Sequence, residues 1–131
     1  MEAMFRTRDE IDRDAGGAMV RRICGPGLGQ SDRLTVLHGT LGPGDGHGFH
    51  LHPDQDEVIH VVSGQVEQWI GAQVRILGTG EAALLPAGTV HATFHTGTGP
   101  AQILAIFGPS RGDGFEVVDM SAQEPWASLR R

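Results

Sequence analysis

Four residues in two separated stretches carry groups able to hold a metal ion. His50 and His52 flank Leu51, Glu57 follows a short turn, and His91 lies further along in GEAALLPAGTVHATFH. In an extended strand, residues two apart share a face with Cα atoms about 6.6 Å apart, a gap two imidazoles can close onto one ion. Glu57 opens the next strand after the turn at Pro53 to Asp56, which can return its carboxylate to the pair. His91 begins another strand after PAG. Three imidazoles and a carboxylate make a mixed N/O set suited to a divalent transition ion (Fe, Mn, Ni, Co or Zn) and less to Ca or Mg. The bland alternative is a solvated polar rim that holds no metal.

The elements that must position these groups are short. Twenty glycines and seven prolines in 131 residues, with no long apolar stretch of period 3.6, predict strands joined by tight turns. Strands are expected over 18–24, 34–41, 49–52, 57–63, 65–70, 73–77, 82–85, 92–96, 102–107 and 115–119, with Gly or Pro at nearly every junction. That rhythm indicates an antiparallel sandwich or barrel. The chain divides into an N-terminal arm over 1–17, with a turn of helix near Arg8 to Asp14, a β domain over 18–120 and a tail over 121–131. In that tail Trp126 and Leu129 are placed to dock a short helix against the barrel or a partner. One domain is what this length supports.

Composition removes several functions. A net charge of −6, with basic residues clustered only as short pairs, lacks the footprint of a nucleic-acid binder. No stretch approaches the roughly 20 apolar residues of a membrane span. The N-terminus has no apolar targeting region, and the single Cys24 cannot form an intrachain disulfide, so a cytoplasmic protein is expected.

The two histidine-bearing stretches resemble the paired motifs of the cupin superfamily. The first reads Gly44, five residues, His50-x-His52, four residues, Glu57, six residues, Gly64; the second reads Gly80, five residues, Pro86-x-Gly88, two residues, His91. The resemblance covers Gly44 to about His95 and is closest to small single-domain cupins. It implies an all-β double-stranded β-helix, or jelly-roll barrel, with little helix, and His50, His52, Glu57 and His91 as metal ligands. It also implies a homodimer, in keeping with apolar Val58 and Val62 on outward positions. One position departs from the pattern: where the second motif usually ends in Asn stands His95. Strand parity turns His95 inward with His91 and Thr93, but four residues of strand span about 13 Å, so a polar lining residue or proton shuttle is expected there rather than a fifth ligand.

The remaining candidates have ordinary roles. His47 reads as a solvated loop histidine. His60, of opposite parity to Glu57, Ile59 and Val61, faces away from the cavity, toward the other sheet or a subunit interface. His38 reads as a hydrogen-bonded core or surface residue, although its parity also permits a place in the barrel. Asp54 and Asp56 serve the turn, with Asp56 a substitute ligand should Glu57 turn away. Trp69 packs in the core or at an interface. Arg111-Gly112-Asp113 reads as a turn.

By the resemblance, the chain is a metal-dependent, dioxygenase-like enzyme acting on a small enol, diketone or flavonol-like substrate, with Glu57 or His95 moving protons. The alternatives are a non-catalytic module for a sugar or organic acid, and a metal-dependent isomerase or cyclase. The chain contains no tyrosine, which rules out tyrosine-based epimerase and lyase mechanisms and Cys-Tyr thiol dioxygenases. Its length excludes the two-domain oxalate and gentisate architectures as wholes. The partner expected is a small-molecule ligand or substrate, with no nucleic acid and no membrane.

Overall fold

A computed structural model of the chain describes residues 5–13, 20–28 and 32–130. Ten strands and two short helices occur among them: α1 (Arg8–Arg13), β1 (Val20–Cys24), β2 (Thr35–Leu41), β3 (Gly46–Leu51), β4 (Asp56–Ser63), β5 (Gln65–Ile70), β6 (Gln73–Gly78), β7 (Ala82–Leu85), β8 (His91–Phe94), β9 (Ala101–Gly108), β10 (Val118–Asp119) and α2 (Trp126–Leu129). They form two antiparallel five-stranded sheets, ordered β1-β2-β9-β4-β7 and β10-β3-β8-β5-β6. This is the all-β jelly-roll arrangement that the sequence implies. Among the described residues no helix is long and apolar enough to cross a membrane.

Period-two alternation sorts the side chains. Leu41, Ile59, Val61, Val66, Ala83, Leu85, Ala101 and Ile103 form one buried cluster between the sheets. Phe49, Trp69, Val90 and Ala92 form a second on the opposite face of the β3, β8 and β5 strands. Leu51, Phe94, Met120, Trp126 and Leu129 pack against that second cluster, so the tail helix docks on its own sheet. Trp126 Nε1 donates to the Gly71 carbonyl at 3.2 Å, and the Arg130 guanidinium meets Glu67 at 2.6 Å and lies over the Phe94 ring. At the other end of the chain, Arg6 donates to the carbonyls of Ile23 and Arg22 and holds the described part of the arm against β1.

The structure departs from the sequence expectations in three places. β3 begins at Gly46 rather than Phe49, because Gly46 suits a crowded crossing: a Cβ there would sit 2.6 Å from Phe94 Cδ1 and 2.9 Å from the Thr93 carbonyl. β8 runs from His91 to Phe94, and His95 just beyond it still keeps the β3–β8 register, its N–H donating to the carbonyl of Asp45, the residue before Gly46. The strand expected over 115–119 shrinks to Val118–Asp119, since Glu116 gives its N–H to the Gln55 side chain and its carbonyl to His52. The first two residues of the strand expected over 18–24 lie outside the described residues. Arg111 to Gly114 closes as a tight turn through reciprocal backbone bonds.

Candidate metal centre

His50 sits on β3 directly opposite His91 on β8. Their ring centroids are 4.3 Å apart. His52 follows β3 at the start of the turn, and Glu57 projects from β4 of the other sheet. Two bonds lock the two halves of the site together: the Gly88 N–H donates to the His52 carbonyl and the Ala87 N–H to Asp56 Oδ1, each at 2.9 Å. Asp56 thus ties one turn to the other while Glu57 turns inward.

All three imidazoles are oriented in the same way. His50 Nδ1 faces the Gly48 carbonyl at 2.6 Å, His52 Nδ1 the Glu116 carbonyl at 2.6 Å and His91 Nδ1 the Thr89 carbonyl at 2.9 Å. A carbonyl only accepts, so each Nδ1 carries a proton, and in the neutral ring each Nε2 keeps its lone pair. Those of His52 and His91 point at Glu57 Oε1, at 3.1 and 2.9 Å. They are close but not aligned as hydrogen bonds, which leaves His52 Nε2, His91 Nε2 and Glu57 Oε1 buried without partners. Buried polar atoms without partners call for an explanation, and a shared cation supplies one. The ligand atoms of His50, His52, Glu57 and His91 all lie within 4.8 Å of one another, close to the span set by one ion with bonds of about 2.0–2.2 Å. The residues therefore fit a divalent transition ion.

Charge is distributed unevenly across the set. Burial pushes His50 down to about 4, an effect that the neighbouring His91 and His52 reinforce and the Gly48 carbonyl only partly offsets. Burial would also lower His52, but Glu57 and the Glu116 carbonyl outweigh it and raise the imidazole above its usual 6.5. Burial alone would raise Glu57, yet His52 and His91 hold it below 4.5, as a carboxylate.

The centre opens onto a cavity of about 840 Å3. Leu37, Ile103 and Phe107 of one sheet and Phe115 and Val117 of the 109–117 loop line it, as do His50, His52 and Glu57. Phe107 stacks on Phe115 at 4.8 Å and meets the His52 ring edge-on at 4.9 Å. His91 is 1% exposed and is not among the lining residues. His47, read from sequence as a loop residue, lies in β3 opposite Thr93 and lines the cavity. His60 faces away from the cavity as its parity predicts, beside Ala82 and Leu104 on the outer face of its own sheet and not against the other one. His38 also faces outward, into a groove with Arg8, Ile11 and Asp12 of α1. His95 is buried, but its ring is hydrogen-bonded to the Gly99 carbonyl and it neither joins the ligand cluster nor lines the cavity.

Sequence reasoning missed Gln55. It is 1% exposed and every polar atom of its amide is used: Nε2 donates to the carbonyls of Pro109 and Gly114, and Oε1 accepts the Glu116 N–H. Because the Glu116 carbonyl orients His52, Gln55 fixes a ligand through a loop more than fifty residues away. A glutamine in a PDQD turn gives no signal of this in sequence.

The cupin domain profile matches residues 37–107. The chain belongs to the cupin family. It is 33% identical over 72 residues to germin-like protein 3-8 of Oryza sativa subsp. japonica, covering 51% of this chain and 32% of that protein. It is 30% identical over 82 residues to quercetin 2,3-dioxygenase of Bacillus subtilis, covering 63% of this chain and 24% of that one. The matches therefore span about a third and a quarter of the length of these relatives. Among solved structures, an uncharacterized conserved protein with a double-stranded β-helix domain from Klebsiella pneumoniae superposes with a TM-score of 0.68 at 23% identity, covering 90% of this chain and 99% of that one.

Two outcomes follow from this cupin's site. Loading the metal-free protein at pH 6.5 should displace protons to which His52, with its raised pKa, contributes, since His50 is already neutral and Glu57 already ionised; the His52 share should fade as pH rises through that elevated pKa. Calorimetry in two buffers of different ionisation enthalpy counts the protons, and no release at pH 6.5 would contradict the His52–Glu57 pairing. Replacing Gln55 by Ala strands buried backbone groups and frees His52 to rotate. It should cost about 2–4 kcal/mol in urea denaturation and weaken metal binding about 10–100-fold in a chelator competition. Undiminished metal affinity would show that the loop does not set the ligand.

Proposed function

We propose that this cupin is a metal-dependent, dioxygenase-like enzyme acting on a small oxygen-rich substrate of the enol, diketone or flavonol type. The observation that carries the reading is the convergence of imidazole lone pairs, all with Nδ1 committed to backbone carbonyls, on one carboxylate at the wall of an apolar cavity. A divalent transition ion held by His50, His52, Glu57 and His91 would supply Lewis-acid or redox chemistry to a ligand offering two oxygens.

The chain's own residues do the rest. Phe107 and Phe115 stack into a wall that excludes water and suits a flat, conjugated body. Glu57, held ionised, is the group placed to take an enol proton. His95 is proposed instead as a clamp on the 95–100 loop, through its bond to Gly99. The partial similarity to a quercetin 2,3-dioxygenase supports the reaction class.

Purified protein loaded in turn with Fe(II), Mn(II), Co(II) and Ni(II) should retain about one ion per chain by elemental analysis and consume O2 with quercetin or acetylacetone. His91→Ala should abolish both. Stoichiometric metal with ligand binding but no O2 uptake would replace the enzyme reading by a non-catalytic binding one.

We further propose a homodimer through the outer face of the β1-β2-β9-β4-β7 sheet. There Val36, Ile106, Val58 and Leu84 form one cross-strand apolar row, and Leu84 is 69% exposed. Sedimentation should give twice the monomer mass, and Leu84→Glu should shift it to monomer; a monomeric wild-type protein would defeat the proposal.

A further inference from the structure

Arg22 is the one arginine or lysine side chain among the described residues that lines the cavity. It lies on the edge strand β1 and shares strand parity with Val20, which also lines the cavity. Register places it on a row that crosses the sheet through Leu37 and Ala105 to Ile59, two residues along β4 from Glu57. With strands about 4.8 Å apart and about 3.3 Å per residue, the Arg22 and Glu57 Cα atoms stand about 16 Å apart before curvature, with the cavity between them.

The guanidinium is positioned but not neutralised. Its Nη2 donates to the carbonyls of Asp113 at 2.7 Å and Pro26 at 3.4 Å. No carboxylate pairs with it among the described residues. A guanidinium has five N–H donors in a planar fork, and both carbonyls fall on one nitrogen. Nε and Nη1 are left without a hydrogen bond among the described residues. Pinning the loop requires no charge here, because Thr35 Oγ1 and Gln55 Nε2 already donate to the Gly114 carbonyl. A half-buried cation lining the cavity with Leu37, Ile103 and Phe115 makes no ion pair with a carboxylate among the described residues.

We propose that Arg22 binds a carboxylate of the cavity's ligand, so that the metal centre and the guanidinium grip opposite ends of one small organic acid. This rests on the metal-centre reading above. Arginine favours a carboxylate through a bidentate fork. The two acids at the cavity rim, Asp113 and Asp119, disfavour additional negative charge, which points to a monocarboxylate. The ligand class is therefore an apolar-bodied monocarboxylic acid bearing two adjacent oxygens at the end remote from its carboxylate.

The test uses 3,4-dihydroxyphenylacetate, whose catechol chelates and whose carboxylate lies at the far end, and its methyl ester. Each is titrated calorimetrically, without oxygen, into the nickel-loaded full chain. The acid should bind at least ten-fold more tightly than the ester. In Arg22→Met that ratio should fall to about one, and Arg22→Lys should recover part of it. Equal binding of acid and ester by the wild-type protein, or an acid preference that survives Arg22→Met, would overturn the proposal. So would a parallel loss of both affinities with a lowered melting temperature, which would make Arg22 a loop pin only. Nickel content is read separately: failure of the wild-type chain to retain nickel sinks the metal reading alone. The ratio of phenylacetate to methyl phenylacetate binding by the metal-free protein then still decides the role of Arg22.

Discussion

The constraint on which the structure depends is the commitment of each Nδ1 of His50, His52 and His91 to a backbone carbonyl. It fixes the tautomer, the ring plane and the direction of every Nε2 lone pair. Without it, imidazoles with centroids 4.3 to 5.1 Å apart would be free to rotate and hydrogen-bond to one another or to water. Two of the carbonyls are local, two residues back in sequence, so β3 and the approach to β8 orient His50 and His91 by their own backbone path. The third belongs to Glu116, 64 residues from His52. One imidazole of the three is thus set by tertiary structure alone.

That dependence explains the loop over 109–117. In a plain antiparallel sheet it would extend the closing strand. Here its backbone groups are diverted to side chains: Gln55 takes one N–H and supplies two carbonyls, Thr35 supplies one of the same carbonyls, and Arg22 holds another. The loop also brings Phe115 onto Phe107 to form the aromatic side of the cavity. A single segment therefore orients His52 and shapes the space in front of it. The orientation of His52 and the shape of the cavity are coupled through the same backbone.

The face behind the site is equally committed. Phe49 and Leu51 alternate with His50 and His52, so each inward ligand is backed by an outward apolar neighbour. Trp69, Val90 and Ala92 continue that layer, and Trp126 and Leu129 of the tail close it from outside. The burial of this second cluster ties the rigidity of β3 and β8 to residues more than thirty positions beyond His91. The Arg130 contacts with Glu67 and Phe94 add a polar clasp at its edge.

Much of this was legible in the sequence because the side-chain period of a strand is local. Parity alone places His50 and His52 on one face and Phe49 and Leu51 on the other, turns His60 outward, and lets a Pro-containing turn carry Glu57 back to the pair. Glycine and proline mark the turns, and β5 and β7 begin and end where the pattern says. What sequence could not show depends on contacts between distant segments. The backbone of His95 stays in register with Asp45, yet its ring is taken by the Gly99 carbonyl and lies outside the His/Glu cluster although its parity points inward. Gln55 looks like any turn residue until the 109–117 loop arrives above it. Arg22 shows only a basic pair on a strand until Leu37, Ala105 and Phe115 are folded beside it. The ligand types and their faces were determined by the sequence through the geometry of a single strand. Their orientation, and the cavity they open onto, were decided only by the tertiary structure, because hydrogen bonds across sixty residues select one ring plane among many that the local chain allows.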